Sequence, residues 1–522
     1  MGVMRFRVSP PGFLTGWPEA LSAYISGFDG RVFPTRVEID GDVLVCRRPS
    51  SDSGRLHIAW PVAGFGRTLV STSSLRDLGD EAVGESGDES SEYLLSLELA
   101  RGKIGQLRNQ RAAWESAGMQ VPATFAEASR QAHRIFARAT SVQSDPDESS
   151  RLAEAALVHA HNAAQLLAST YITQRLNVRR GRSQRFPSSL GCGVSGESPP
   201  VAWETLPAGL FNSVTLPVSW RRIESLEGES EWSESDGLVD WAIAERLLIH
   251  GGPLLDFGDG GMPEWLAAWS GDVGNLQSFV CDFVETALTR YVGRIRVWEL
   301  ASRVNTGGGL QLSEEARLAL LARAIEVARG VDDVEQLVVR IEQPWGRYQS
   351  SGRHLLSPLQ FVDGLIRCAP GLSAISLEIT SGLSPGDPGR RDLMDLSRLL
   401  DIWSTLGLPL HVTMAAPSAG GMDSGGRFVR SASDPDPGSE ETGEAGVASE
   451  SGHWSVSSQA AWVDAVLPLL LSKQSVSGIT WAQLVDSDPP GFVSAGLFDR
   501  ELKARPVVEA IRGQRFGLWP AD

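Results

Sequence analysis

Gly407-Leu408-Pro409-Leu410-His411-Val412-Thr413-Met414 reads as a short buried strand, Leu410–Ala415, entered from a helix-like stretch, Leu393–Leu406. The same alternation of helix and short apolar strand runs from about residue 185 onward. Eight strand candidates can be marked: Leu190–Val194, Ser213–Val218, Pro253–Phe257, Ile295–Ala301, Leu337–Ile341, Ala374–Ile379, Leu410–Ala415 and Gly478–Leu484. Strands alternating with crossover helices predict a parallel sheet. Eight of them predict an α/β fold, a (β/α)₈ TIM barrel over 185–518 with loop insertions.

The chain has 522 residues, more than one ordinary domain needs. Residues 1–78 are β-rich. Arg36–Asp40, Val43–Cys46 and Leu56–Trp60 are short, apolar or β-branched, and set between Gly and Pro. A small sandwich fits, either a sugar-binding accessory module or a plain structural domain. Residues 80–92 are acidic and rich in Gly and Ser, as a linker is. A helical connecting segment is expected over 93–180, with helices at Leu94–Ala117, Thr124–Thr140 and Glu148–Asn177. Gly118 suits the end of the first. His159 and His161, two apart on the third, fall on different faces and make no metal pair. Residues 418–453, after the seventh strand, are nearly devoid of apolar side chains, and the expectation is a disordered insertion.

A net charge of −17 disfavours a nucleic-acid partner. Cys46, Cys192, Cys281 and Cys368 are scattered without a C-x-x-C, so buried free thiols are expected and neither a metal site nor any cofactor is. Met1–Pro10 has no apolar signal region and no later run is long enough for a bilayer, so no membrane partner is expected and the cytoplasm is the expected location. Sixteen Trp against five Tyr is a high ratio. Most are read as core, though a flat indole face also suits a sugar ring. Gly307-Gly308-Gly309 follows the fourth strand without the Lys or helix of a phosphate loop.

Several stretches of the barrel resemble glycoside hydrolase family 10, the xylanase family. The segment quoted at the outset resembles that family's seventh strand, G-L-x-V-x-I-T-E-L-D. Phe211-Asn-Ser-Val-Thr215 with Trp220 and Ile223-Glu224 is similar to F-N-S-V-T…W-x-x-I-E. Met262-Pro263-Glu264-Trp265 is similar to L-P-x-W, and Tyr291 to Glu299 to Y-x-G-x-I-x-x-W-D. Ser477–Trp481 resembles the eighth strand, and Gly496-Leu497-Phe498-Asp499 with Arg505-Pro506 the closing G-L-F-D…K-P. The resemblance covers roughly 185–515.

The resemblance implies a carbohydrate partner and a glutamate pair, one protonating the leaving oxygen and one attacking the anomeric carbon, about 5–5.5 Å apart. Here the acid position of W-D-x-x-N-E is Arg303 and the nucleophile position is Met414. A guanidinium keeps its proton to about pH 12, and a thioether cannot replace a carboxylate. The third strand's H-x-x-x-W-H is replaced by Pro253 to Gly258, including Asp256. The E-N-x-x-K after the second strand is replaced by Leu216 to Ser219. Xylanase chemistry at the family positions is therefore not expected.

Other acids stand on strands. Glu342, followed by Gln343-Pro344-Trp345, ends the fifth, and Glu378 lies on the sixth, where a relocated catalytic pair would face the mouth of the barrel. The rival reading has them bind a sugar hydroxyl or pair with Arg303, Arg340 or Arg347. Strand parity puts Glu299 on Arg303's side, deeper in the barrel. Trp481 is the stronger stacking candidate and Trp345 the second. With Arg303, Glu299, Gln343 and Asp256 they complete the expected glycan contacts. Two readings stay open: hydrolysis of O-glycosidic bonds by Glu342 and Glu378, or a non-catalytic glycan-binding or scaffolding protein. Oligomeric state is not legible.

Overall fold

The structure is a computed structural model, which describes residues 2–73, 92–182, 186–194, 199–331, 336–383, 390–422, 428–429, 454–486 and 492–519. Its centre is a closed barrel of eight parallel strands. In order they are Ser189–Gly193, Ser213–Leu216, Leu248–Gly251, Val297–Ser302, Gln336–Ile341, Ala374–Thr380, Leu410–Ala415 and Val476–Trp481. Each strand pairs with the next, and the eighth returns to the first through Gly478 opposite Ser189.

Strand parity sorts the side chains into two populations. Trp298, Leu300, Val339, Ile341, Leu377, Ile379, Val412, Met414 and Ile479 belong to the large apolar layer packed under the surrounding helices. Their neighbours in sequence line the lumen, and these are unusually polar: Glu299, Arg340, Ser376, His411, Thr413 and Thr480. A TIM barrel usually fills its lumen with branched apolar side chains. Here a cavity of about 270 Å³ remains. Val297, Val338 and Ala374 form the apolar floor beside Leu248.

The third strand corrects the reading from sequence. It is Leu248–Gly251, which meets the fourth at His250 opposite Val297. Pro253–Phe257 supplies only the short strand Leu255–Asp256, paired with Ala301 and Ser302 at the barrel mouth. The apolar run after Pro253 has the stronger strand pattern, yet proline has no N–H to donate to a ladder. Gly252 must pass close to the fourth strand. A Cβ on it would stand 2.3 Å from the Glu299 carbonyl oxygen, and its φ is +126°.

Two four-stranded sheets precede the barrel. One runs Arg36–Asp40, Val43–Arg48, Gly2–Arg7, Tyr93–Leu94, and the other Val32–Phe33, Tyr24–Ser26, Arg55–Val62, Gly66–Ser73. Phe6, Leu44, Ile25, Ile58 and Trp60 from both sheets share one core with Leu95, Leu99 and Leu157 of the following helices. Those helices are Leu95–Ser116, Ala123–Ser141 and Pro146–Arg182. The first ends as its sequence predicts, with Gly118 at φ +93° and the Met119 N–H returning to the Trp114 carbonyl. His161 is buried and His159 half-buried, in keeping with their different faces.

Sheets and helices dock onto the barrel. The Thr35 N–H donates to the Ser350 carbonyl, and the Leu69 N–H to that of Arg390. Lys103 forms an ion pair with Asp392, and Arg179 donates to the Leu471 and Lys473 carbonyls. All four cysteines are free, but only Cys46 and Cys192 are buried; Cys368 is exposed, which corrects the expectation for it. The expected linker at 80–92, Glu92 apart, and most of the insertion at 418–453 lie outside the described residues.

Candidate functional site

The C-terminal ends of the fourth, fifth and sixth strands, with the short strand Leu255–Asp256, bring four acids and two arginines together. Arg340 stands mid-lumen on the fifth strand. Its Nε donates to Glu299 Oε1 at 2.8 Å, joined there by Nη2, and its Nη1 lies 3.9 Å from Glu378 Oε2. Arg303, just past the fourth strand, donates from Nε to Asp256 Oδ1 at 2.7 Å. Its backbone has φ +53°, an uncommon conformation for a residue other than glycine. Gly258 makes room for the guanidinium, since a Cβ there would stand 2.3 Å from its central carbon.

Glu342 sits one residue beyond the fifth strand and is half-buried. Its carboxylate accepts from the Thr306 hydroxyl at 2.7 Å. Asn305 clamps its backbone from both sides: Nδ2 donates to the Glu342 carbonyl at 2.7 Å, and Oδ1 accepts from its N–H at 3.2 Å. Gln343 follows with φ +45°, and its carbonyl accepts from the Gly346 N–H, turning the chain sharply away.

These surroundings drive the carboxyls apart. Burial pushes Glu378 up to about 7, and the nearby Glu342 adds to the rise, against the opposing pull of Arg340 and Arg303. Burial also raises Glu299, only partly offset by Arg340. Burial acts the same way on Asp256, but there the hydrogen bonds and charge of Arg303 and the Gly258 N–H outweigh it and hold the carboxyl low. Below them two lumen histidines face each other, His250 and His411, with ring centres 5.6 Å apart. Burial pushes them down to about 3 and about 4.

The two tryptophans are placed differently from the sequence reading. Trp481 is 2% exposed, its Nε1 donates to the Ala495 carbonyl, and Trp462 packs edge-on against it. Covered by protein, it offers no face to a sugar, which corrects the stacking role. Trp345 is half-buried but lies on the seam with the N-terminal sheets, its face under the Arg391 guanidinium at 4.2 Å. Met414 points outward into the apolar layer and is 2% exposed. Gly307-Gly308-Gly309 is shaped by Arg317, which donates to the carbonyls of Val304, Asn305 and Leu312. Among the described residues no group of three or more His, Cys, Asp or Glu could hold a metal ion.

The sequence reading missed Arg340 as the organiser of the site. A charged residue inside the apolar run Leu337–Ile341 was the available signal. His250 and His411 carry no local signature, because only strand pairing brings them to the lumen, and Asn305 and Thr306 none, because they reach Glu342 from a loop.

No family model matches the chain. It is 27% identical over 129 residues to endo-1,4-beta-xylanase 3 of Hypocrea jecorina, covering 23% of this chain and 35% of that enzyme. It is 28% identical over 110 residues to endo-1,4-beta-xylanase C of Paenibacillus barcinonensis, covering 19% of this chain and 10% of that one. The chain thus spans about a third or less of the curated relatives it matches. Among solved structures it is similar to xylanase 10B of Thermotoga maritima, with 15% identity and a TM-score of 0.46 over 65% of this chain and 95% of that one. The xylobiose complex of xylanase 10B from Thermotoga petrophila RKU-1 gives 15% identity and a TM-score of 0.45, over 65% and 94%. No helix among the described residues is long and apolar enough to cross a membrane.

Proposed function

We propose that the protein is a carbohydrate-active barrel that takes a glycan into the groove at the strand C-termini, and that Glu378 and Glu342 cleave an O-glycosidic bond there. The observation that carries this reading is the pair itself. Glu378 holds its proton to about 7, beside a second carboxyl anchored by Thr306 and Asn305. Such a pair divides the labour of glycoside hydrolysis. Glu378 donates its proton to the departing sugar oxygen, and Glu342 supplies the carboxylate that attacks the anomeric carbon or activates water. Arg303, Asp256 and Gln343 line the approach as hydroxyl contacts. Arg303 and Met414 take no part in proton transfer or attack, so xylan cleavage of the family 10 kind is not expected.

A second reading, a non-catalytic glycan binder, is favoured by the ion pairs Arg340–Glu299 and Arg303–Asp256, which leave fewer acids free for chemistry. Reducing-end assays over a broad glycan panel separate the two. Cleavage abolished by Glu378→Gln and by Glu342→Gln, with the fold intact, supports hydrolysis; unchanged turnover in both eliminates it. Binding without cleavage, weakened by Arg303→Ala, supports the binder.

A further inference from the structure

A second cavity, of about 130 Å³, lies on the seam between the N-terminal sheets and the barrel. Arg55 of the strand Arg55–Val62, Arg391, and Arg398 of the helix Leu393–Ser404 all border it. Among the described residues none of the three has a carboxylate ion-pair partner. Arg391 donates only to the Tyr24 hydroxyl, at 3.1 Å, and lies over Trp345. Their charges converge: all three act on the His57 ring, which burial and these cations hold well below its usual range. Arg55 and Arg398 repel each other. Two carboxylates stand near, Asp395, whose charge acts on Arg55, and Asp29, which accepts from the Arg31 N–H at the rim. Three guanidiniums against two carboxylates leave a surplus of positive charge that an anion offsets. Exposed Phe28 and half-buried Trp345 give the same cavity aromatic walls.

We propose that this seam cavity binds an organic oxyanion, a carboxylate, sulfate ester or phosphate ester on a ring-sized body, whose charge is held by Arg55, Arg391 and Arg398 while its ring packs against the aromatic walls. The inference does not rest on hydrolysis in the groove. Because the cavity joins both parts of the chain, its occupant also tightens their docking.

The test is a thermal-shift and calorimetric titration of the full chain at constant ionic strength, with glucuronate, glucose 6-sulfate, glucose 6-phosphate and uncharged glucose. At least one anion should raise Tm saturably while glucose does not, and the most effective one identifies the oxyanion. Arg398→Gln and Arg55→Gln should each weaken that binding at least tenfold, and Arg55→Lys less. Glu378→Gln should bind as the unaltered protein does, which keeps this site distinct from the groove. Absence of a saturable shift with every anion, an equal response to glucose, or full binding in both glutamine variants overturns the proposal.

Discussion

Glu378 binds its proton more tightly in the folded protein than in an open chain, with a pKa of about 7 against 4.5. Its contribution to stability is therefore complete below pH 4.5 and disappears as pH rises to about 7. Glu378→Gln should remove that slope. Urea melts between pH 5 and 8 should show the variant gaining on the unaltered protein as pH rises; parallel curves would count against a raised carboxyl. Arg340 presents the opposite case. Its partner Glu299 is 8% exposed, so Arg340→Met strands a buried carboxyl. The expected cost is about 3–5 kcal/mol in denaturant melts, and the Arg340→Met, Glu299→Leu double variant should recover much of it. A small loss from the single variant would show that water already reaches Glu299.

At the scale of elements, strand period and loop geometry account for the site. The two-residue period of the strands places Glu299, Arg340 and Glu378 in the lumen and Met414 outside it. The strands themselves were legible: eight could be marked from apolar runs, seven of them close to their observed places. The third was misplaced because Leu248–Gly251 is short and glycine-ended, whereas the run after Pro253 is longer. The role of Trp481 was misjudged because burial depends on Trp462 and Ala495, remote in sequence. Loops were legible only as loops, since Arg303, Gln343 and the clamp by Asn305 depend on single positive-φ residues and cross-loop hydrogen bonds. A sharp test falls on Gly258. Gly258→Ala puts a methyl into the Arg303 guanidinium and should break its bond to Asp256. If the groove binds a glycan through Arg303, affinity should fall roughly as far as in Arg303→Ala, with Tm changing little.

For the molecule as a whole, the polar lumen sets an acid limit. His250 and His411 stay neutral in the fold to about pH 3 and 4, while an unfolded chain takes up those protons near 6.5. Stability should thus fall as pH drops below about 6.5 and keep falling until the folded rings themselves titrate. His250→Asn and His411→Asn should each flatten that decline in melts from pH 7 to 4. The docking of the N-terminal elements makes a second prediction. Lys103–Asp392, Arg179 with Leu471, and Leu69 with Arg390 tie them to the barrel. A chain starting at residue 186 should melt at lower temperature than the full chain and expose apolar surface to a hydrophobic dye. Equal melting temperatures would show the barrel independent of what precedes it.

The strand Gly66–Ser73 is the edge of its sheet, and its bridge partner Thr68↔Arg390 lies far down the chain. On a ribosome adding about 5–20 residues per second, that partner emerges on the order of tens of seconds after the edge itself. An uncovered edge is a template for pairing with another nascent chain. The helix Leu95–Ser116 arrives much sooner. Gly102 lets it lie directly on this strand, where a Cβ would meet the Ser71 carbonyl oxygen at 2.3 Å. That glycine therefore governs how the half-made protein survives its own synthesis, and Gly102→Val should lower soluble yield more at fast translation rates than at slow ones.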